Sequence, residues 1–175
     1  MGTPAPGWYG PSMFDYAGIE VAWLVRQVTP TDKKILDIGS GWGKYRWLLP
    51  EYEFDAAEVW EPYVKQHNLD SYYGNVFIGE AVKYNYPYRY GAVILGDVLE
   101  HMSVEDAQQV LDTAYRNSDL VVVAVPFLHP QGEEEGNCFE IHLQEDLTET
   151  VMTERYPDLT LYSSDGHKAV YVYHD

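Results

Sequence analysis

Apolar and polar positions along the chain switch between two spacings, about 3.6 residues for an amphipathic helix and about 2 for a half-buried strand. Helical spacing over residues 15–28 predicts a first helix, which must stop before Pro30 because proline has no N–H to continue the ladder. KKILDIG (33–39) then predicts a buried strand, residues 44–49 a short helix and residues 54–60 a second strand. Pro62 suits the first position of the helix that follows, where an N–H would go unused. Residues 75–79 and 91–96 predict two more strands. Ser103 with Asp106 resembles a capping box, and Ala107, Val110, Leu111, Ala114 and Tyr115 form one apolar face of a helix ending near Asn117. The unbroken apolar run at 120–125 is the kind of strand buried on both faces of a parallel sheet. A last helix near residues 146–156 stops at Pro157, and LTLYSS and KAVYVYH follow as alternating strands.

Strands and helices in this alternation imply an α/β fold: a doubly wound, mostly parallel seven-stranded sheet with an antiparallel terminal strand pair. No internal repeat or Gly/Ser linker interrupts it, so residues 15–175 read as a single domain. Residues 1–14, rich in Pro and Gly, read as an N-terminal segment whose Trp8 and Tyr9 could fold over a pocket as a lid.

Charge narrows the choice of partners. The 175 residues carry 28 Asp and Glu against 11 Lys and Arg, a formal charge of −17. Nucleic-acid binding draws most of its affinity from Lys and Arg displacing counterions, so a polyanion is a poor partner for this surface. One cysteine, Cys138, cannot form an internal disulfide, and no Cys/His spacing fits a structural zinc site. No apolar run approaches the roughly 20 residues needed to cross a bilayer, and the chain opens on neither a basic nor an apolar leader. The reading is a soluble cytoplasmic protein with no membrane contact.

The chemistry concentrates at strand ends. Asp37, Gly39, Gly41 and Gly43 stand where the first strand passes into a helix, and glycines there let a ligand approach the backbone closely. A nicotinamide-binding loop would need glycine at position 44, which is Lys44, and Asp37 adds negative charge that disfavours a pyrophosphate. A cationic ligand fits better. Glu61 is read as the acid closing the second strand, placed to accept both hydroxyls of a ribose. Glu80 and Ala81 follow the third strand and Asp97 the fourth.

The order LDIGSGWG, AAEVWEP, VFIGEA and GAVILGDVLEHM resembles the class I S-adenosylmethionine-dependent methyltransferases, closely over residues 33–127. The resemblance implies that Asp37, Gly39, Gly41 and Gly43 line the methionine part of S-adenosylmethionine, that Glu61 holds its ribose, and that Glu80 and Ala81 lie beside its adenine. Family members often have Asp at the position of Glu80. The cofactor's sulfonium and ammonium suit an acidic site without phosphate-binding groups.

On the acceptor side, Asp97-Val-Leu-Glu100-His101-Met102 resembles the motif of members that methylate small molecules. His101 is the candidate base, with an ordinary imidazole pKa near about 6.5, or else a residue that orients the loop. Glu100 and His142 complete the candidate catalytic set. Asp97, Glu100, His101 and His142 also resemble the Glu/Glu/His/His metal set of small-RNA 2′-O-methyltransferases, although the leading reading needs no divalent metal. Asn85-Tyr-Pro-Tyr88 resembles the tetrad of base-amine methyltransferases but precedes the fourth strand, so it reads as a turn. Glu133, Glu134 and Glu135 read as a solvated loop.

The sequence therefore points to a methyltransferase acting on a hydroxyl or amine of a small molecule, its acceptor site made by residues 126–144 and the N-terminal segment, or completed by a partner chain or second copy. A noncatalytic cofactor-binding module and a metal-assisted nucleic-acid 2′-O-methyltransferase are the other readings.

Overall fold

The computed structural model describes residues 15–174, so the suggested lid at residues 1–14 lies outside the described residues. Seven strands form one sheet in the order β3-β2-β1-β4-β5-β7-β6. They are β1 (Ile35–Ile38), β2 (Phe54–Glu58), β3 (Val76–Ile78), β4 (Ala92–Gly96), β5 (Leu120–Pro126), β6 (Thr160–Ser164) and β7 (Lys168–His174). The first five pair in parallel, and β7 inserts antiparallel between β5 and β6.

Five α-helices cover the sheet: α1 (Tyr16–Val28), α2 (Lys44–Leu48), α3 (Glu61–Gln66), α4 (Val104–Asn117) and α5 (Glu149–Arg155). Alternation in the strands explains why both faces need cover. Leu36, Ile38, Val93 and Leu95 point to one face, under the Ala107, Val110, Leu111 and Ala114 stripe of α4. Ile35, Ala92 and Ile94 point to the other, under Ala17, Val21 and Val25 of α1. All of β5 is buried, as its apolar run requires.

Side-chain caps set the helix starts. Asp15 accepts from Gly18 N, Ser103 from Asp106 N and Thr148 from Val151 N. α5 thus begins at Glu149 rather than near residue 146. The run at 85–88 lies outside the strands and bends at Pro87 and Tyr88. Around it Tyr84, Tyr86 and Tyr90 meet edge to face, and Tyr88 and Tyr90 donate to the buried carboxylate of Asp55. Among the described residues no helix is long and apolar enough to cross a membrane.

Candidate active site

Parallel strands β1, β2, β3 and β4 end along one edge, where a cleft of about 680 Å³ opens. That volume falls in the range of small-molecule sites, roughly 300–1,000 Å³. Gly39 (φ 67°) and Gly41 (φ 52°) turn the chain away from β1 in the left-handed region that favours glycine. A Cβ on Gly39 would meet Val98 Cγ2 at 2.1 Å, so the loop is pressed against the chain leaving β4. A Cβ on Gly41 would come no nearer than 4.0 Å, to Gly39 O, leaving space for a ligand.

Glu58 closes β2 and clasps this loop. Its carboxylate accepts from Gly41 N and from Trp60 N, each at 2.8 Å, and it is buried at the cleft wall. Burial pushes its pKa up, against the lowering effect of the two backbone N–H groups. This corrects the reading of Glu61 as the strand-end acid. β2 leaves the sheet at Glu58, and three residues later Glu61 is already in α3, exposed and paired with Lys65 at 2.7 Å, outside the cleft. The strand was expected to run through Trp60, and the two extra residues carried the acid to the wrong position.

Asp37 and Gly43 also lie behind the cleft rather than in its lining. Asp37 accepts from Tyr73 OH at 2.7 Å beneath the loop, and burial pushes its pKa up to about 7. Glu80, which pairs with Lys83, and Ala81 do line the cleft, next to Gly79.

Asp97 sits at φ 55° just past β4 and lines the cleft between two lysines. Its Oδ2 is 3.2 Å from Lys44 Nζ and its Oδ1 2.9 Å from Lys168 Nζ. Burial works to raise its pKa, but the two ammonium groups outweigh that and hold it below the usual value. Asp15 completes the set, 2.7 Å from Lys168 and 3.8 Å from Lys44.

The facing wall begins with the 3-10 turn Leu99–His101. His101 lines the cleft, and its Nδ1 is 3.3 Å from Ile141 O. A carbonyl only accepts, so in the neutral ring Nδ1 carries the proton and Nε2 keeps its lone pair. Burial, helped by His142, lowers the His101 pKa to about 4, well below an ordinary imidazole. His142 stands behind it with ring centroids 4.5 Å apart, its own Nδ1 on His129 O. Glu100 is also behind the wall, and neither carboxylate oxygen has a hydrogen-bond partner. Burial first, and then the charge of Asp97, push its pKa well above the usual carboxylate range. Ligand atoms of Glu100, His101 and His142 lie within 4.8 Å of one another, whereas Asp97, the fourth member of the resembled metal set, does not join that cluster.

Gln144 holds this wall in place. Its amide donates to Leu99 O at 3.0 Å and Met102 O at 3.2 Å and accepts from Tyr156 OH, while Leu143 N and Gln144 N both donate to Glu100 O. The loop then reaches across to α3, where Tyr63 OH donates to Glu140 at 3.0 Å and Trp60 meets Phe139. Carboxylates line the cleft at Glu58, Glu80, Asp97, Asp106, Glu134, Glu135 and Glu140; Lys44 is the one Lys or Arg among its described lining residues.

Glu58 and Gln144 escaped the sequence reading, and Lys44 entered it only as the residue that breaks a nicotinamide-binding loop. The first charged residue after Ala56 and Ala57 was the available signal for Glu58, but nothing local marks Gln144.

The sequence matches no family model and no curated protein. Solved structures share the fold at low identity. The CcbJ methyltransferase of Streptomyces caelestis superposes with a TM-score of 0.71 at 14% identity, over 96% of this chain and 93% of that one. A provisionally named O-methyltransferase of Nostoc punctiforme PCC 73102 gives 0.69 at 18% identity over 93% of this chain, which spans 57% of the length of that protein. The N-terminal domain of EvdMO1, solved in the presence of S-adenosylhomocysteine (SAH) and D-fucose, gives 0.64 at 14%, over 92% and 84% of the two chains.

Proposed function

We propose that this chain, which has the fold of the class I S-adenosylmethionine-dependent methyltransferases, uses that cofactor to methylate a hydroxyl or amine of a small molecule. The carrying observation is one cleft with a glycine loop clasped by Glu58 on one wall and the imidazole of His101, its Nδ1 on a backbone carbonyl, on the other.

The residues fit the cofactor. Seven carboxylates and a single lysine line the cleft, which would repel a pyrophosphate and accept a sulfonium and an ammonium. Ser40, buried in the loop and lining the cleft, has a hydroxyl with no hydrogen-bond partner among the described residues. Gly39, Ser40 and Gly41 would hold the methionyl part, Glu58 the ribose hydroxyls, and Gly79, Glu80 and Ala81 the adenine. When bound, the cofactor supplies a methyl group on a sulfonium, open to in-line displacement. His101 holds the acceptor from the opposite wall and takes its proton on Nε2 as the new bond forms. With a pKa near 4 the imidazole is neutral at neutral pH, so it needs no prior deprotonation. Its weak basicity places proton transfer late, when the acceptor atom has become acidic. Gln144 and the loop it anchors keep the imidazole aimed.

Calorimetry with SAH, followed by methyl-transfer assays on hydroxyl and amine acceptors, tests this reading. Binding with turnover supports it, binding without turnover on any acceptor favours a noncatalytic cofactor-binding module, and no binding overturns it. The Glu100, His101 and His142 cluster favours a second reading, in which a divalent cation activates the acceptor hydroxyl. Both imidazoles have Nδ1 against a backbone carbonyl, as metal-ligating histidines commonly do. On the leading reading chelation leaves turnover unchanged; loss restored by added metal establishes the second.

A further inference from the structure

We propose that Lys44 receives the α-carboxylate of the cofactor's methionyl arm, while Lys168 remains as counter-ion to the two aspartates that both lysines contact. The inference rests on the cofactor reading above and adds how this chain recognises the amino-acid end. S-adenosylmethionine carries a carboxylate as well as its two positive groups. In a cleft lined by seven acids that carboxylate is the misfit, and an anion placed there without a counter-charge is strongly disfavoured.

Position decides which cation can meet it. Lys168 Nζ lies 2.7 Å from Asp15 and 2.9 Å from Asp97. Lys44 Nζ donates to Asp97 at 3.2 Å and stands 3.8 Å from Asp15. Both lysines serve the two aspartates, but Lys44 lines the cleft and Lys168 does not. Lys44 directly follows the glycine loop, and the unpartnered hydroxyl of Ser40 lies in that loop. Two lysines and two aspartates sum to zero charge, so the carboxylate and ammonium of the arriving zwitterion leave the balance unchanged.

The test compares S-adenosylmethionine with its decarboxylated form, which keeps the sulfonium and ammonium and lacks the carboxylate, by calorimetry on the whole chain. The wild type should prefer the carboxylate-bearing form by roughly 10- to 100-fold, the usual size of a charged hydrogen bond. Lys44→Met should erase the preference by weakening that form alone, and Lys44→Arg should keep most of it. A wild type that binds both forms equally well overturns the proposal without touching the cofactor reading; one that binds neither overturns both. Persistence of the preference in Lys44→Met, or its loss in Lys168→Met instead, assigns the carboxylate to another group and also overturns it. Since the wild-type comparison is decisive by itself, the proposal is testable even if a variant misfolds.

Discussion

On the glycine-loop wall of the cleft, β1 to β4 end side by side in a parallel sheet, and the lining groups follow within a few residues of each strand. On the facing wall, His101 and Gln144 are placed by bonds between segments 40 to 45 residues apart, His101 to Ile141 and Gln144 to Leu99 and Met102. One wall is a by-product of the sheet and the other is assembled over it. The difference matters because a wall made from strand ends is rigid at little cost, while a wall held by a few polar contacts can change its shape without disturbing the sheet.

Substitutions can separate the two walls. The largest effect should come from His101→Ala, with turnover falling by roughly 10²–10⁴-fold and SAH affinity unchanged. The pH profile sharpens this. Because the His101 pKa is lowered to about 4, the proton-accepting form persists as pH falls from neutrality, and kcat/KM should hold until that region and drop below it. A drop already centred near about 6.5, the ordinary imidazole value, would place the base elsewhere. Next comes Glu58→Ala, which should weaken SAH binding by about 1–3 kcal/mol in calorimetry, leaving the relative rates on different acceptors as they were. Gln144→Leu should cost about 1–2 kcal/mol of stability in denaturant unfolding, because it removes the side-chain donor to Leu99 O and Met102 O and the acceptor of Tyr156 OH. It should also lower kcat more than it weakens the cofactor. Smallest is Glu61→Ala, within about 0.5 kcal/mol in both binding and stability, since an exposed i,i+4 pair contributes little. A large cofactor defect in that variant would restore Glu61 to the site.

Periodicity carried most of the fold. All seven strands were legible, β5 as an unbroken apolar run and β6 and β7 as alternating stretches, and the α4 cap could be read at Ser103. The site was legible as far as it is local: Gly39, Gly41, Glu80, Ala81, Asp97 and His101 all line the cleft. Failures occurred where a position depends on where the chain leaves the sheet. Glu58 and Glu61 differ by one turn of backbone, and only the register of β2 against β3, which pairs Glu58 with Ile78, tells them apart. His101 was assigned an ordinary pKa because its burial comes from residues 141–142, which no local pattern ties to it. Lys168 was invisible as a site residue for the same reason, lying 71 residues from Asp97 and 153 from Asp15.

That last pairing orders events during synthesis. β7 leaves the ribosome after every other described strand, yet it belongs inside the sheet, between β5 and β6. Until it docks, β5 presents an open edge of apolar residues, and Asp15 and Asp97 face each other without Lys168 between them. A nascent chain can therefore form the parallel half of the sheet early, but the charge pairing at the cleft is finished only when β7 is delivered.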